Sequence, residues 1–141
     1  MTDSRATSAV VRRVLPAPPE IVFDTWLDAG ALAVFMCPDP GKAVEVECDP
    51  RVGGRLRIIM AYPDSVSQVT GEYLDLDRPS RLSFSWKSDT TGDSVVMVDL
   101  EPHGERQTLM TITHTRLPEL LVDAHHEGWT TIANHLAVVL Q

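Results

Sequence analysis

The amino-acid sequence predicts an α+β domain in which helices cover one face of an antiparallel β-sheet. Period-two alternation of apolar and polar residues recurs through the middle of the 141-residue chain, as in half-buried strands. Helical spacing of apolar residues appears near the two ends of the chain instead. The connectors between the strand segments are short enough for antiparallel neighbours. This order of elements is typical of a sheet with its helices segregated to one side.

The N-terminal part predicts one strand and two short helices. Residues 9–15 are mostly apolar and predict the first strand. Two prolines at 18–19 precede Glu20, and proline is tolerated in the first helical turn because its missing N–H is not needed there. The apolar stripe of this helix consists of Val22, Phe23, Trp26 and Leu27. We expect residues 28–30 to end it and residues 31–36 to form a second short helix.

The strand pattern begins with a hairpin around residues 49–54. This connector reads Asp-Pro-Arg-Val-Gly-Gly, and turns favour both proline and glycine. On the strand that follows, Leu56, Ile58 and Met60 share one face of the sheet. The predicted strands after the first are residues 44–48, 56–60, 66–76, 81–87, 94–101 and 107–115.

A long helix is predicted to close the chain. It opens at residues 118–119, Pro-Glu, and at ~1.5 Å per residue it spans roughly 30 Å, enough to cross a curved sheet. Gly128 lies inside it and costs about 1 kcal/mol relative to alanine, so either close helix–sheet contact or space for a ligand should offset this cost. The predicted inward face consists of Leu121, Ala124, His125, Gly128, Ile132, Leu136 and Val139.

Composition restricts the possible partners and locations. A net charge of −8 with scattered basic residues argues against nucleic acid. Residues 1–9 are polar and unlike a signal peptide, and the longest apolar runs are much shorter than the ~20 residues of a membrane helix. Cys37 and Cys48 are expected to be free thiols in a cytoplasmic protein, although a single disulfide is the alternative. We expect one domain over residues 1–141, as a monomer or a homodimer.

Four segments carry a resemblance to a known family. They read Pro-Glu-Ile-Val-Phe-Asp-Thr-Trp at 19–26, Asp-Pro-Arg-Val-Gly-Gly at 49–54, Gly-Glu-Tyr at 71–73 with Arg-Leu-Ser-Phe-Ser-Trp at 81–86, and Glu-Gly-Trp at 127–129. In this order they resemble the helix-grip superfamily, also called START-like or SRPBCC. Within it, the chain is similar to the family of the C-terminal domain of the activator of Hsp90 ATPase. Phe35-Met36 departs from that family, which usually has tryptophan there.

The resemblance implies a curved sheet wrapped around the C-terminal helix, with an internal cavity between them. Combined with the alternation, this gives a set of candidate ligand-binding residues, and packing of the same side chains into a solid core is the alternative. The candidates are Leu56, Ile58, Met60, Tyr73, Phe84, Trp86, Met110, Ile112, His114, His125, Gly128 and Ile132.

The sequence shows no pattern typical of catalysis, and no metal or cofactor is predicted. His125 and His126 are adjacent, so on a helix they point about 100° apart and do not share one metal easily. Nothing in the sequence places a histidine beside Cys48 to make it a nucleophile. His114 lies among large apolar neighbours and is expected to be a core histidine satisfied by a hydrogen bond, with ligand contact as the alternative.

Three functions follow as hypotheses. The first is a non-enzymatic protein that binds a small hydrophobic or amphipathic molecule between the sheet and the C-terminal helix. The second, implied by the resemblance, is a partner of a chaperone whose ATPase it stimulates. The third is a cyclase- or hydrolase-type enzyme that uses His114, His125 or Tyr73 as acid–base groups in the same cavity.

Overall fold

The computed structural model describes residues 7–141, and this part of the chain contains seven strands and three α-helices. The expectation about a signal peptide falls mostly on residues 1–6, outside the described residues. The elements are β1 (Ala9–Leu15), α1 (Pro19–Trp26), α2 (Ala29–Phe35), β2 (Lys42–Cys48), β3 (Arg55–Ala61), β4 (Val66–Asp77), β5 (Arg81–Ser88), β6 (Gly92–Pro102), β7 (Thr108–Thr115), a 3-10 turn (Glu119–Leu121) and α3 (Val122–Val139).

All seven strands form one antiparallel sheet. The spatial order is β1-β7-β6-β5-β4-β3-β2, so β2 to β7 follow one another and β1 joins at the far edge beside β7. Val11 of β1 lies opposite Ile112 of β7. The sheet curls around α3, which confirms the predicted α+β helix-grip fold.

The 49–54 hairpin connector is held by backbone hydrogen bonds to β4. Gly53 has a φ of +84°, which favours glycine, and its N–H donates to the carbonyl of Tyr73 at 2.8 Å. The N–H of Tyr73 donates in return to the carbonyl of Gly54 at 2.9 Å. A side chain on Gly54 would overlap the carbonyl oxygen of Asp49. This turn therefore fixes the start of β3, which buries Leu56 on the inward face.

Two details of the helices differ from the prediction. Helix α1 already ends at Trp26, and residues 28–30, which were expected to end it, begin α2 instead: the carboxylate of Asp28 caps α2 by accepting from the N–H of Gly30 at 3.2 Å. On α3 the buried stripe is rotated, and Val139, predicted to face inward, is 37% exposed. Trp129 is the reason, because this large side chain takes the inward position. The buried residues of α3 are Trp129, Ile132, Ala133, Leu136 and Ala137.

None of the helices among residues 7–141 is long and apolar enough to cross a membrane.

Candidate functional site

A cavity of about 240 Å³ lies between α3 and the inward face of strands β3 to β5. Its walls combine aromatic rings, a methionine, aliphatic groups and a few hydroxyls, and within the described part of the chain no Asp, Glu, Lys or Arg is among them. The lining residues are Pro38, Met60, Tyr62, Ser67, Val69, Trp86, Ser88, Thr90, Ala124, His125, Gly128, Trp129 and Ile132.

The cavity has a closed wall and an open end. Trp86 and Trp129 are buried and pack against each other with their ring centroids 5.2 Å apart, so they form the closed wall. Thr90 and Ala124 are exposed and mark the open end. An apolar cavity of about 150 Å³ suffices for benzene, so this one has room for a molecule of one or two rings.

Five of the twelve candidate residues line this cavity: Met60, Trp86, His125, Gly128 and Ile132. The other seven were expected to face it but lie in the core, outside its lining. For Phe84 and Tyr73 the physical reason is that helix α1 covers this end of the sheet: the ring centroids of Trp26 and Phe84 are 6.4 Å apart, and Phe84 in turn contacts Tyr73. The core residues are Leu56, Ile58, Tyr73, Phe84, Met110, Ile112 and His114.

His114 is part of a buried hydrogen-bond chain. The indole N–H of Trp129 donates to its Nδ1 at 3.0 Å, and its Nε2 lies 2.8 Å from the hydroxyl of Ser94. Because an indole can only donate, Nδ1 accepts and the ring proton sits on Nε2. The hydroxyl of Ser94 passes its own proton toward the carbonyl of Trp86 at 2.7 Å. Each group is satisfied when His114 is neutral.

Burial supports the same protonation state. His114 is fully buried, and burial, reinforced by the nearby charge of His125, lowers the pKa of the His114 imidazole to about 3. The sequence predicted a core histidine with one hydrogen bond, and the structure gives it two. Neither ring nitrogen is free to exchange a proton with a molecule in the cavity.

Tyr73 is also committed to the core. Its hydroxyl lies 3.0 Å from the thiol sulfur of Cys48, whose S–H points to the carbonyl of Leu27 at 3.4 Å. Burial raises the pKa of the Tyr73 phenol and that of the Cys48 thiol. Cys37 and Cys48 are both free, and no disulfide forms between them.

The site includes residues that the sequence analysis did not select. Ser67 and Val69 lie on β4, where alternation with Tyr73 on the same strand could have indicated them. Trp129 was not among the residues predicted to face inward, yet its spacing to Ala133 would have indicated it. Pro38, Tyr62 and Thr90 come from connectors, which carry no such periodic signal.

Gly128 leaves space in the cavity wall. A Cβ atom added to it would meet only Pro38, at 3.7 and 3.8 Å, which is ordinary van der Waals contact. Close packing against the sheet therefore does not explain this glycine. The absent side chain enlarges the cavity instead.

A second depression of about 460 Å³ lies outside the sheet, between α2, the end of α3 and the start of β2. It is flanked by the exposed side chains of Val34 and Val138 and by the hydrogen bond between Nε2 of His135 and the carboxylate of Asp39, 3.2 Å apart. Its lining within the described residues includes no Trp, Tyr or Phe, so the aromatic cavity between α3 and the sheet is the better candidate for a ligand site.

Comparison with known proteins identifies relatives of this fold. Residues 16–141 match the family described as activator of Hsp90 ATPase homolog 1-like protein. No curated protein matches the chain at a significant level. A protein of Chromobacterium violaceum is 27% identical, with a TM-score of 0.85, over 94% of this chain and 96% of that one.

Two further solved structures share the fold. A protein of Arthrobacter aurescens is 23% identical, with a TM-score of 0.85, over 99% of this chain and 89% of that one. An HSP90 activator from Plasmodium falciparum is 21% identical, with a TM-score of 0.75, over 95% of this chain and 96% of that one. The family match runs from residue 16 to the last residue and agrees with the architecture and the four sequence segments, so the chain belongs to the activator of Hsp90 ATPase homolog 1-like family.

Proposed function

We propose that the protein binds a small, largely apolar molecule in the cavity between α3 and the sheet. The observation that carries this proposal is the cavity itself: about 240 Å³ lined by two tryptophans, a tyrosine and a methionine, with His125 as the one acidic or basic residue that residues 7–141 contribute. Apolar walls with a few polar groups are typical of small-molecule sites. The flexible thioether of Met60 allows for ligands of different shape.

The volume sets the size and the affinity of the ligand. Scaled from benzene in about 150 Å³, this cavity accommodates roughly ten non-hydrogen atoms, the size of a naphthalene. At about 0.5–0.8 kcal/mol per atom, such a ligand would bind with a Kd in the micromolar range.

Binding without catalysis fits the chemistry of the lining. Both nitrogens of His114 are hydrogen-bonded, and the hydroxyl of Tyr73 faces Cys48. Of the three groups considered for acid–base work, His125 alone lines the cavity. A general acid–base mechanism usually needs a second positioned group, and the lining residues within 7–141 include no carboxylate or lysine for it.

The test is binding of 2-methylnaphthalene, followed by isothermal titration calorimetry and by native mass spectrometry. The expected result is one molecule per chain with a micromolar Kd. Gly128→Leu should abolish binding, because its added side chain fills about half of the cavity. Asn134→Leu places the same leucine side chain on the exposed face of α3 and should leave binding unchanged. Absence of binding to the unaltered protein, or equal effects of the two variants, would refute the proposal.

Association with a chaperone is a second candidate function. It is supported by membership of this family and by the structural likeness to an HSP90 activator. The test is the ATPase rate of an Hsp90-class chaperone with and without the protein, with Gly128→Leu as a variant altered only in the cavity. Stimulation by both proteins would support a chaperone role that does not need the cavity. No stimulation and no co-purification would remove this candidate.

A further inference from the structure

We infer that His125 selects ligands that carry a hydroxyl group, by accepting a hydrogen bond from that hydroxyl at its Nε2. This inference rests on the proposed function, since it names the chemistry that the same cavity recognises. The ligand class is an uncharged aromatic molecule of one or two rings with a phenol or alcohol group near the open end.

The tautomer of His125 follows from its backbone contact. Its Nδ1 lies 2.9 Å from the carbonyl oxygen of Leu121, the residue just before α3. A carbonyl can only accept, so Nδ1 carries the proton and donates it. In the neutral ring Nε2 then holds a lone pair and can only accept a hydrogen bond.

This lone pair is available to a ligand. Nε2 of His125 has no hydrogen-bond partner within residues 7–141, although the side chain is half-buried and lines the cavity. The ring is also held in place, because it packs edge-on against His114 with centroids 5.2 Å apart and planes at 86°. A fixed acceptor at the edge of an apolar cavity discriminates between ligands that can and cannot donate to it.

The other polar groups of the lining do not provide the same selection. The hydroxyl of Ser88 is hydrogen-bonded to that of Thr91 at 2.9 Å and to that of Thr90 at 3.3 Å. The hydroxyl of Tyr62 donates to the sulfur of Met60 at 3.8 Å and accepts from the thiol of Cys37 at 3.7 Å. Ser67 can both donate and accept, so it does not favour a donor over an acceptor. Among residues 7–141, the lining contains no lysine or arginine to neutralise an anion, which disfavours carboxylates and phosphates.

The test compares 2-naphthol with 2-methylnaphthalene, which has a methyl group in place of the hydroxyl. Their Kd values are measured by calorimetry for the unaltered protein and for His125→Phe. The ratio of the two Kd values is compared between the proteins. The hydroxyl loses its water in each of them, so this cost cancels in the comparison. We expect His125→Phe to weaken 2-naphthol about tenfold relative to 2-methylnaphthalene, because the buried hydroxyl then lacks a partner.

Two variants complete the design. His125→Gln keeps an acceptor oxygen and should hold the ratio within about threefold of the unaltered protein, whereas Ser67→Ala should change it less than about twofold. Retained affinity for 2-methylnaphthalene shows that each variant is folded. An unchanged ratio in His125→Phe would overturn the inference while the proposed function stands. If neither compound binds the unaltered protein, both are overturned.

Discussion

Replacement of Gly128 by alanine should make the protein more stable while leaving its cavity usable. Gly128 lies in the interior of α3 and is half-buried. Its added methyl group would touch only Pro38, at 3.7 and 3.8 Å, so no atom has to move. A natural glycine that costs stability without a steric reason is expected where the missing side chain serves a ligand.

The size of the effect follows from helix propensity. Glycine in a helix interior is about 1 kcal/mol less favourable than alanine, so Gly128→Ala should raise the free energy of unfolding by that amount. For a domain of this size, a gain of 1 kcal/mol corresponds to a rise in Tm of about 4 °C. The methyl group takes up about 30 Å³, roughly the volume of one water molecule, and leaves most of the cavity free.

The assay is urea unfolding followed by tryptophan fluorescence, together with the Kd of 2-methylnaphthalene. We expect the denaturation midpoint to rise at an unchanged m value, and the Kd to change less than about fivefold. Thr130→Ala on the exposed face of α3 controls for general effects of alanine in this helix. A fall in stability of 1–3 kcal/mol would show that the position is tightly packed, and the reasoning about a ligand would then be wrong.

Three further predictions concern the core. The pKa of the His114 imidazole is lowered to about 3 in the folded protein, so as the pH falls below 6.5 the unfolded chain takes up a proton on this residue before the folded protein does. Stability should therefore decline toward pH 3 by up to about 1.4 kcal/mol per pH unit. His114→Gln should reduce this slope in thermal melts. Gly71→Ala should destabilise the protein by about 1–3 kcal/mol in urea, since its Cβ would overlap the carbonyl of Ser85, and an unchanged midpoint would contradict this. Cys37 and Cys48 should react slowly with a thiol reagent in the folded protein, because burial raises the pKa of both thiols. Both should react after denaturation, and fewer than two reactive thiols would indicate a disulfide.

The fold could be predicted closely because its signals are local and mutually consistent. The alternation on β5, where Leu82, Phe84 and Trp86 point inward, depends only on neighbours along one strand. The rotation of α3 was harder to predict. Gly128 and Trp129 are adjacent and both line the cavity, and only the packing of Trp129 against Trp86 and His114 decides which of them is fully buried.

The candidate site was predicted only in part, for a physical reason. Alternation identifies which side chains face inward, but it does not show which of them meet another side chain and which meet empty space. Phe84 and Trp86 share a face of β5, yet Trp26 of α1 covers the first and leaves the second beside the cavity. That distinction depends on where α1 ends relative to the sheet, which is a long-range property.

The two ends of the sheet therefore have different roles. The end covered by α1 stabilises the fold, and the end beside the cavity is where a ligand is proposed to bind. At the end covered by α1, the ring centroids of Trp26 and Phe35 are 5.3 Å apart, and substitutions that remove buried rings there should lower the free energy of unfolding by about 3–5 kcal/mol. At the end beside the cavity, α3 contributes Gly128 and β4 contributes Ser67, and both residues are too small to fill the space between the helix and the sheet. The cavity thus exists because small side chains leave unfilled space in an otherwise packed core. Larger residues beside the cavity should change ligand binding without unfolding the protein, because the packing at the end covered by α1 holds the sheet and helices together.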